Sequence, residues 1–206
     1  MVLRNTSASG VIAQIAAIMG PCAGGACYSP AICDFVFMVE NSSYMFITGP
    51  QVVKTVTGEV VSAESLGGAQ VHMTESGVAH FAYPDDRTCL EGIRSLLAYL
   101  PQNAGENPPV LPGAPVDRSA ELEEIVPQNS RKPYDIRKVI QAITDKDSFL
   151  EIQSQWAANA VIGFGRMDGK PMGFVANQPA SKGGALDRDS SDKMARFIRT
   201  CDCFGI

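Results

Sequence analysis

The sequence lacks any apolar run long enough to cross a membrane. No stretch of its 206 residues reaches the roughly 18 consecutive apolar residues that a membrane-spanning helix requires. No basic segment followed by an apolar run and a cleavage site opens the chain. We therefore expect a soluble protein with no membrane partner. With 45% apolar residues, the chain can bury one ordinary core or two small ones.

A surplus of positive charge is also lacking. The formal net charge is −5, and the basic residues are scattered apart from the pairs Arg131-Lys132 and Arg137-Lys138. A nucleic-acid surface requires a basic patch or stripe, so we expect no nucleic-acid partner. A phosphorylated ligand such as CoA would need only one local patch, and the charge does not exclude it.

The cysteines lack the C-x-x-C spacing that is typical of zinc sites, and we predict no metal. They lie mostly in apolar segments, where small hydrophobic residues would fit. An even count is compatible with disulfides, but a chain with this much core does not need them. We interpret all six as reduced thiols in a cytosol or matrix: Cys22, Cys27, Cys33, Cys89, Cys201 and Cys203.

Familiar catalytic motifs are missing as well. The chain contains no G-x-S-x-G, G-x-x-x-x-G-K-[ST], G-x-G-x-x-G or H-E-x-x-H motif, which argues against the enzyme classes that carry them. Ser190 and Lys193 match an S-x-x-K signature, but the partner motifs of that signature are absent. We interpret Ser190 as a helix cap and Lys193 as a surface lysine.

Side chains suited to acid-base catalysis are scarce. His72 and His80 are the only imidazoles, and His80 lies in an apolar, strand-like stretch. We expect a hydrogen-bonded structural role for both histidines. Asp34 and Glu40 flank an apolar segment as strand-end residues, and no pair of carboxylates indicates acid-base work.

Prolines divide the chain into two halves. Residues 101–127 hold six of the 13 prolines, which remove amide donors and restrict φ. We predict a linker or an extended strap there. Ahead of it, the pattern predicts strands that alternate with helices: a buried strand at residues 11–19, a short helix opening near Gly24, and strands at residues 34–40 and 44–47.

A helix is predicted to close the first half over residues 85–100. Asp85 is placed to cap it, and the spacing of apolar residues predicts the face that packs on the core. That face consists of Leu90, Ile93, Leu97 and Leu100.

The second half also mixes helices and strands, and the whole chain therefore predicts an α/β fold. Asp168-Gly169, between two apolar runs, is a hairpin signal. Ser190 or Ser191 is expected to cap a last helix, and residues 204–206 have the pattern of a strand that is starting. The first helix of this half has an apolar face of Ile136, Val139, Ile140 and Ile143.

The segment GPCAGGACYSPA, residues 20–31, is rich in small residues at a predicted strand-to-helix bend. An oxyanion that develops on a thioester carbonyl needs converging donors, and backbone amides at a helix start supply them where no side chain blocks the approach. Gly24 and Gly25, followed by Ala26, meet this requirement. The alternative is that the two glycines only allow a helix to pack closely on a strand.

Over essentially its whole length, the chain resembles the carboxyltransferase β subunits of biotin-dependent acyl-CoA carboxylases. The resemblance implies two crotonase-like (ClpP/crotonase) carboxyltransferase domains, both incomplete here. Residues 1–100 would be the C-terminal portion of the N-terminal domain, residues 101–127 the strap, and residues 128–206 the start of the C-terminal domain. The resemblance rests on IMGPCAGGACYSPA, DFVFMVENSSYMFITGPQVVKTVTGE, LGGAQVHMTESGVAHFAY, YLPQNAGENPP, VIGFGRMDGKPMGFVANQP and KMARFIRTCDCFGI.

The resemblance implies transfer of a carboxyl group from carboxybiotin to the α-carbon of an acyl-CoA. Propionyl-CoA, which would become methylmalonyl-CoA, is the favoured substrate. In this family a base derived from carboxybiotin takes the α-proton, which would explain why acid-base side chains are missing. The amides of Gly24, Gly25 and Ala26 would form the oxyanion hole for the thioester carbonyl. Tyr28 and Phe46 would neighbour the pocket, with core packing as their alternative role.

The same resemblance implies a large assembly. The family forms homo-oligomeric β cores, hexamers of dimer pairs, and its partner α subunits carry biotin and a biotin carboxylase that uses ATP and bicarbonate. The compartment would be the mitochondrial matrix in a eukaryote or the cytoplasm in a bacterium. Because the family's CoA-binding start and its second glycine-rich oxyanion segment are absent, we expect an internal fragment that is inactive alone.

Other functions stay open at this level. The chain could serve a related acetyl-CoA or methylcrotonyl-CoA carboxyltransferase, or an acyl-CoA decarboxylase. It could also be a non-catalytic assembly module that keeps the fold without the chemistry.

Overall fold

The computed structural model describes residues 2–114, 116, 122–129 and 132–206. They form two compact units, Met1–Leu97 and Ala98–Ile206. Residues 115 and 117–121 of the predicted strap, and Arg131 of one predicted basic pair, lie outside the described residues. Within the described part of the chain, no helix combines the length and the apolar character needed to span a bilayer.

Parallel strands and helices alternate in the first unit. The strands are β1 (Ile15–Ile18), β2 (Pro21–Ala23), β3 (Phe35–Val39), β4 (Tyr44–Phe46) and β5 (Phe81–Tyr83). Three of them form one parallel sheet in the order β1-β3-β5, and β2 pairs in parallel with β4. The helices are α1 (Val2–Ala8), a 3-10 helix (Gly24–Cys27), α2 (Tyr28–Ala31), α3 (Pro50–Thr57), α4 (Ala63–Gly67), α5 (Ala69–Thr74) and α6 (Asp86–Leu97).

The first predicted strand is shorter than the apolar run that suggested it. Residues 11–19 were expected to form one buried strand, but β1 spans only Ile15–Ile18. Val11 and Ile12 are exposed, and their amides donate to the carbonyl of Ala8, because the chain is still completing the turn after α1. β3, in the centre of its sheet, is buried at every position, as a strand covered on both faces must be.

Helix α6 has its predicted cap but a different buried face. The amide of Thr88 donates to the Asp85 carboxylate at 2.8 Å, which confirms the cap. Of the four residues predicted to face the core, Leu100 is buried and Ile93 is half-buried, but Leu90 and Leu97 are about half exposed. Within the helix itself, the buried residues are Cys89, Gly92 and Leu96. Glycine is needed on this face because a Cβ atom at Gly92 would lie 2.2 Å from the hydroxyl oxygen of Tyr83.

The second unit is built on an antiparallel sheet with the order β6-β7-β8. Its strands are β6 (Leu150–Ile152), β7 (Ala160–Met167) and β8 (Lys170–Asn177), and its helices are α7 (Leu122–Ile125), α8 (Ile136–Ile143), a 3-10 helix (Lys182–Gly184) and α9 (Arg188–Phe204). The predicted hairpin is confirmed. Asp168 and Gly169 join β7 to β8 with φ values of 52° and 76°, the left-handed pair of a two-residue turn.

A buried arginine connects this hairpin to the described part of the strap. Arg166 of β7 is 5% exposed. Its guanidinium donates to the carbonyls of Gly169 (2.7 Å), Pro109 (2.9 Å) and Ala98 (2.6 Å). The same group lies 4.8 Å from the centre of the Tyr99 ring, in cation–π geometry. The strap is therefore held to the sheet by a polar contact that its sequence did not predict.

The last helix differs from its prediction at both ends. Its cap is Asp187, not Ser190 or Ser191: the carboxylate accepts from the amide of Ser190 at 3.0 Å, and the Ser190 hydroxyl accepts from the Asp187 amide at 2.7 Å. This reciprocal pair is a capping box, and Ser190 is its third helical residue. At the other end, Phe204 is still helical and Gly205 forms a left-handed C-cap, so the predicted strand start is wrong. Lys193, predicted to be exposed, is buried.

Replacing Asp187 with alanine is expected to lower the thermal stability of the chain, because helix α9 loses its cap. The Lys182 ammonium, 2.6 Å away, and the Ser190 amide hold the pKa of Asp187 well below its usual range. A carboxylate with a depressed pKa in the folded state stabilises the fold above the ordinary value of about 3.9, and this contribution is lost as the pH falls through the folded-state value. The difference in the midpoint of thermal unfolding between wild type and Asp187→Ala, followed by circular dichroism, should therefore be larger at pH 7 than near pH 3.

Asp189→Ala is the matched control for that comparison. Asp189 lies in the same turn, but among the described residues its carboxylate forms a salt bridge with the neighbouring Arg188 on the surface. We expect Asp189→Ala to leave the midpoint of thermal unfolding almost unchanged, since surface ion pairs contribute little to stability. Equal effects of the two substitutions would mean that the cap is not what stabilises the helix.

Candidate functional site

The glycine-rich segment forms the start of a helix at the end of a short strand. β2 pairs with β4, so that Ala23 lies opposite Phe46, and the chain then enters the 3-10 helix at Gly24–Cys27. α2 follows directly. Gly24 has a φ of +65°, a conformation that glycine adopts without strain. The sharp entry into the helix therefore explains why this position is a glycine.

The first backbone amides of this 3-10 helix have no side-chain cap. In a 3-10 helix each amide bonds to the carbonyl three residues earlier, and the amides at the very start have no acceptor inside the helix. Gly24, Gly25 and Ala26 occupy the first three positions. The N-cap residue is Ala23, whose methyl side chain cannot accept a hydrogen bond. The end of the helix thus presents N–H donors and a partial positive charge to whatever lies in front of it.

The space beside the two glycines is open. Among the described residues, a Cβ atom at Gly25 would meet only Cε2 of Tyr28, at 3.9 Å, and one at Gly24 only the carbonyl oxygen of Ile47, also at 3.9 Å. At Gly67, by contrast, a Cβ atom would lie 2.3 Å from the carbonyl oxygen of Met45. Close packing accounts for the glycine at 67, whereas positions 24 and 25 border space that a ligand atom could occupy.

Cys27 anchors the helix to the core of the first unit. It is 4% exposed, and the single hydrogen of its thiol is shared between the carbonyls of Cys22 (2.8 Å) and Phe46 (3.2 Å). The hydrophobic cluster around it holds the bend in place: Ile18, Val36, Met38, Met45, Ala69, Met73 and Ala79. Sequence reasoning classed Cys27 as a small hydrophobic residue and missed this positioning role, which only its spacing behind the glycine pair could have suggested.

The two predicted pocket neighbours lie on either side of this bend. Tyr28 is 52% exposed, and its ring is beside the α-carbon of Gly25. Phe46 is half-buried, with its ring between two glycines: Cβ atoms at Gly49 and Gly67 would approach it to 3.3 Å and 3.1 Å. Tyr28 is therefore accessible to a ligand, while Phe46 packs against the backbone below the bend.

Both histidines have structural partners. His80 is 4% exposed, and its Nδ1 accepts from the Val36 amide at 3.1 Å. His72 places Nε2 at 2.7 Å from the Met45 carbonyl and Nδ1 at 2.7 Å from the Ser76 hydroxyl. Since a carbonyl can only accept, Nε2 carries the proton and Nδ1 accepts from the serine. These contacts confirm the expected structural role of the two imidazoles.

Asp34 and Cys22, two further ionisable residues of the first unit, are also unsuited to acid-base chemistry. The Asp34 carboxylate accepts from the amide of Gln14 at 2.8 Å, at the entrance to β1. Burial, together with Cys27, raises the pKa of the Cys22 thiol to about 11, so this group stays protonated at neutral pH. Within the described ranges, no three His, Cys, Asp or Glu side chains cluster in a way that could hold a metal ion. The bend can act chemically through its amides.

Comparison with known proteins points to one family. The family model described as Carboxyl transferase domain matches residues 1–206. The chain is 58% identical over 205 residues to a propionyl-CoA carboxylase carboxyltransferase subunit of Haloferax mediterranei, with 98% of this chain and 40% of that protein covered. It is 51% identical over 205 residues to the methylmalonyl-CoA decarboxylase subunit alpha of Veillonella parvula, with the same shares covered.

A solved structure extends the likeness to the fold. The chain superposes on transcarboxylase 12S, a hexamer whose crystal structure contains methylmalonyl-CoA, with a TM-score of 0.95 and 47% identity. The match covers 99% of this chain and 39% of that one. This likeness confirms the predicted crotonase-like α/β fold. The chain spans about 40% of the length of the curated relatives it matches.

Proposed function

Since this chain belongs to the carboxyl transferase domain family, we propose that its protein transfers a carboxyl group between biotin and the α-carbon of an acyl-CoA. The observation that carries the proposal is the helix start at Gly24–Cys27, which has no side-chain cap and has open space beside its two glycines. This geometry suits a reaction in which negative charge develops on a thioester oxygen. The assignment of residues 1–100 and 128–206 to the two carboxyltransferase domains of the family is part of the same proposal.

The backbone amides of the bend stabilise negative charge that develops on the substrate. When the α-proton of the acyl-CoA leaves, its electron pair spreads onto the thioester oxygen, and the amides of Gly24, Gly25 and Ala26 stabilise that charge. The helix end is fixed in advance by the Cys27 thiol and its two carbonyl partners. A donor set that is already oriented does not have to reorganise during the reaction, which is why such sites lower barriers by several kcal/mol.

Carboxybiotin supplies the carboxyl group and the base that takes the α-proton. A base that comes with carboxybiotin agrees with the structure, because His72 and His80 are engaged in structural hydrogen bonds. We propose that a partner α subunit carries the biotin together with a biotin carboxylase that consumes ATP and bicarbonate. We also propose a homo-oligomeric β core, and the hexameric assembly of transcarboxylase 12S supports this.

Propionyl-CoA is the acyl substrate that the relatives support best, with methylmalonyl-CoA as the product. A second candidate is decarboxylation of methylmalonyl-CoA, which the relative from Veillonella parvula favours. Both reactions pass through the same negatively charged thioester oxygen, so the bend at Gly24 and Gly25 would serve either. The direction of the reaction depends on the partner that loads or unloads the biotin.

A substrate panel tests the proposal. The complete subunit that contains this chain, assembled with its biotin-bearing partner, is supplied with ATP, labelled bicarbonate and acetyl-, propionyl- or methylcrotonyl-CoA. We expect ATP-dependent incorporation of label, with the highest kcat/KM for propionyl-CoA. If the assembled protein instead releases CO2 from methylmalonyl-CoA in the absence of ATP, the decarboxylase reaction is its function. An assembled core with neither activity would contradict the proposal and favour a non-catalytic assembly module.

A further inference from the structure

Lys193 is a buried lysine whose position the proposed reaction does not explain. It lies in helix α9, and it is 1% exposed. Lysine is almost never buried so completely without groups that replace its hydration shell. The surroundings of its ammonium group must therefore supply those contacts.

Four backbone carbonyls converge on the Lys193 ammonium. Nζ donates to the carbonyl oxygens of Gln153 (2.9 Å), Trp156 (2.8 Å) and Ala160 (2.8 Å), and that of Ala157 lies at 3.4 Å. An ammonium has three hydrogens, so three short bonds satisfy it and the fourth oxygen completes the shell electrostatically. We call residues 153–160, the loop between β6 and β7 together with the first residue of β7, the carbonyl cage.

The backbone of the carbonyl cage is bent to bring these oxygens together. Gln153 and Ala157 have φ values of +51° and +44°, in a region that non-glycine residues rarely adopt. Such conformations persist only where the surrounding structure enforces them. Turn hydrogen bonds from the Trp156 amide to Gln153 (3.2 Å) and from the Ala160 amide to Ala157 (3.0 Å) shape the loop. The Lys193 ammonium lies at the centre of the carbonyl cage and contacts its oxygens.

Among the described residues, the hydrogen-bond partners of the Lys193 ammonium are neutral carbonyl groups. Burial lowers the pKa of Lys193 to about 8, while the nearby Glu151 charge opposes this shift and that of Arg137 adds to it. Glu151 is itself bound to Arg137 through two short hydrogen bonds, of 2.7 Å and 2.6 Å. At pH 7 and below, Lys193 therefore keeps its charge. Rings of carbonyl oxygens that replace a hydration shell are the chemistry by which proteins bind monovalent cations.

We propose that the carbonyl cage is a monovalent-cation site that the chain fills with its own Lys193 ammonium, and that removing this side chain opens the site to a small primary ammonium ion from solution. The proposal is independent of the carboxyl transfer reaction. It assigns Lys193 as a positioning residue that sets the conformation of residues 153–160.

Chemical rescue of Lys193→Ala tests the proposal. Alanine deletes Cγ, Cδ, Cε and Nζ, and propylammonium restores those same atoms. Trp156 is the only tryptophan of the chain and contributes an oxygen to the cage, so its fluorescence reports unfolding there. In the full chain at pH 7, we expect the substitution to lower the unfolding midpoint by about 10 °C or more. Added propylammonium should restore at least about half of that loss, in a saturable manner.

Two added compounds and two protein variants serve as controls for the role of the cation. Tetramethylammonium carries the charge without N–H donors, and 1-propanol fills the space without the charge, so neither should restore the midpoint. Wild type and Lys193→Met, in which the space is occupied, should not respond to propylammonium. Equal rescue by propanol would mean that the site is only a cavity, and absence of rescue by propylammonium would overturn the proposal.

A measurement on the wild-type chain covers the case in which Lys193→Ala does not fold. Nitrogen-15 NMR of lysine ammonium groups at pH 6 should show one signal whose protons persist while those of exposed lysines, Lys182 among them, are lost to exchange with water. Such a signal supports a caged ammonium. If every lysine ammonium exchanges at the rate of an exposed one, the site is open to water and the proposal is wrong.

Discussion

Replacing Gly25 with valine is expected to reduce carboxyl transfer by about 100-fold or more, with the subunit still folded and assembled. The loss of a single oxyanion-hole donor costs about 10²–10³ in kcat. Valine places its methyl groups in the space in front of the helix start, where the thioester oxygen would approach. The fold should tolerate the change, because φ at Gly25 lies outside the left-handed region and its Cβ atom would meet only Tyr28, at 3.9 Å.

Gly20→Val is the matched control for Gly25→Val. Among the described residues, a Cβ atom at Gly20 meets nothing within 4 Å, and its φ also suits an ordinary residue. The same side chain is thus added five residues upstream, away from the helix start. The two variants are compared by the kcat/KM for propionyl-CoA and by the size of the assembled core. Unchanged turnover in Gly25→Val would refute the role of the amides, and loss of assembly would make the effect structural.

Replacing Arg166 with methionine is expected to destabilise the second unit by about 3 kcal/mol or more. The substitution leaves the carbonyls of Ala98, Pro109 and Gly169 without the cation that now donates to them, and hydrogen bonds to charged groups contribute about 1.5–3 kcal/mol each. It also removes the contact with the Tyr99 ring. Urea unfolding of the full chain followed by Trp156 fluorescence measures the effect, because that tryptophan lies in the same unit.

Two further variants define what Arg166 contributes. Lys170→Met removes a positive charge from an exposed position of the same hairpin, and we expect it to change the free energy of unfolding by less than about 0.5 kcal/mol. Arg166→Lys keeps the charge but lacks the planar fork, so its stability should fall between wild type and Arg166→Met. If Arg166→Met were as stable as Lys170→Met, the strap would be held by its apolar contacts instead.

Regular elements were the most predictable part of the fold. The strand β3, the hairpin at Asp168 and Gly169, and the cap at Asp85 were all predicted from patterns of residues that are close in sequence. The face of α6 was not predictable in the same way. The spacing of Leu90 and Leu97 is correct for a helix, but both are about half exposed. The helix buries the face that carries Gly92, where Tyr83 approaches the backbone closely.

Long polar side chains were the hardest residues to place. Lys193 was expected on the surface because lysine usually is, and a buried ammonium requires acceptors that only folding assembles. Its carbonyl partners are contributed by residues 153–160, more than 30 positions earlier in the chain. Arg166 is buried for the same reason, by carbonyls that lie up to 68 residues away. No pattern of neighbouring residues predicts a contact between groups so far apart in the sequence.

By itself, the sequence determined the family, the α/β alternation and the position of the glycine pair, because these depend on motifs and on neighbours along the chain. Only the tertiary structure decided that the space at Gly24 and Gly25 is open, that Cys27 anchors the helix start, and that Lys193 and Arg166 are buried among carbonyls. The physical reason is that an open surface and a satisfied buried charge both depend on groups brought together from distant parts of the chain.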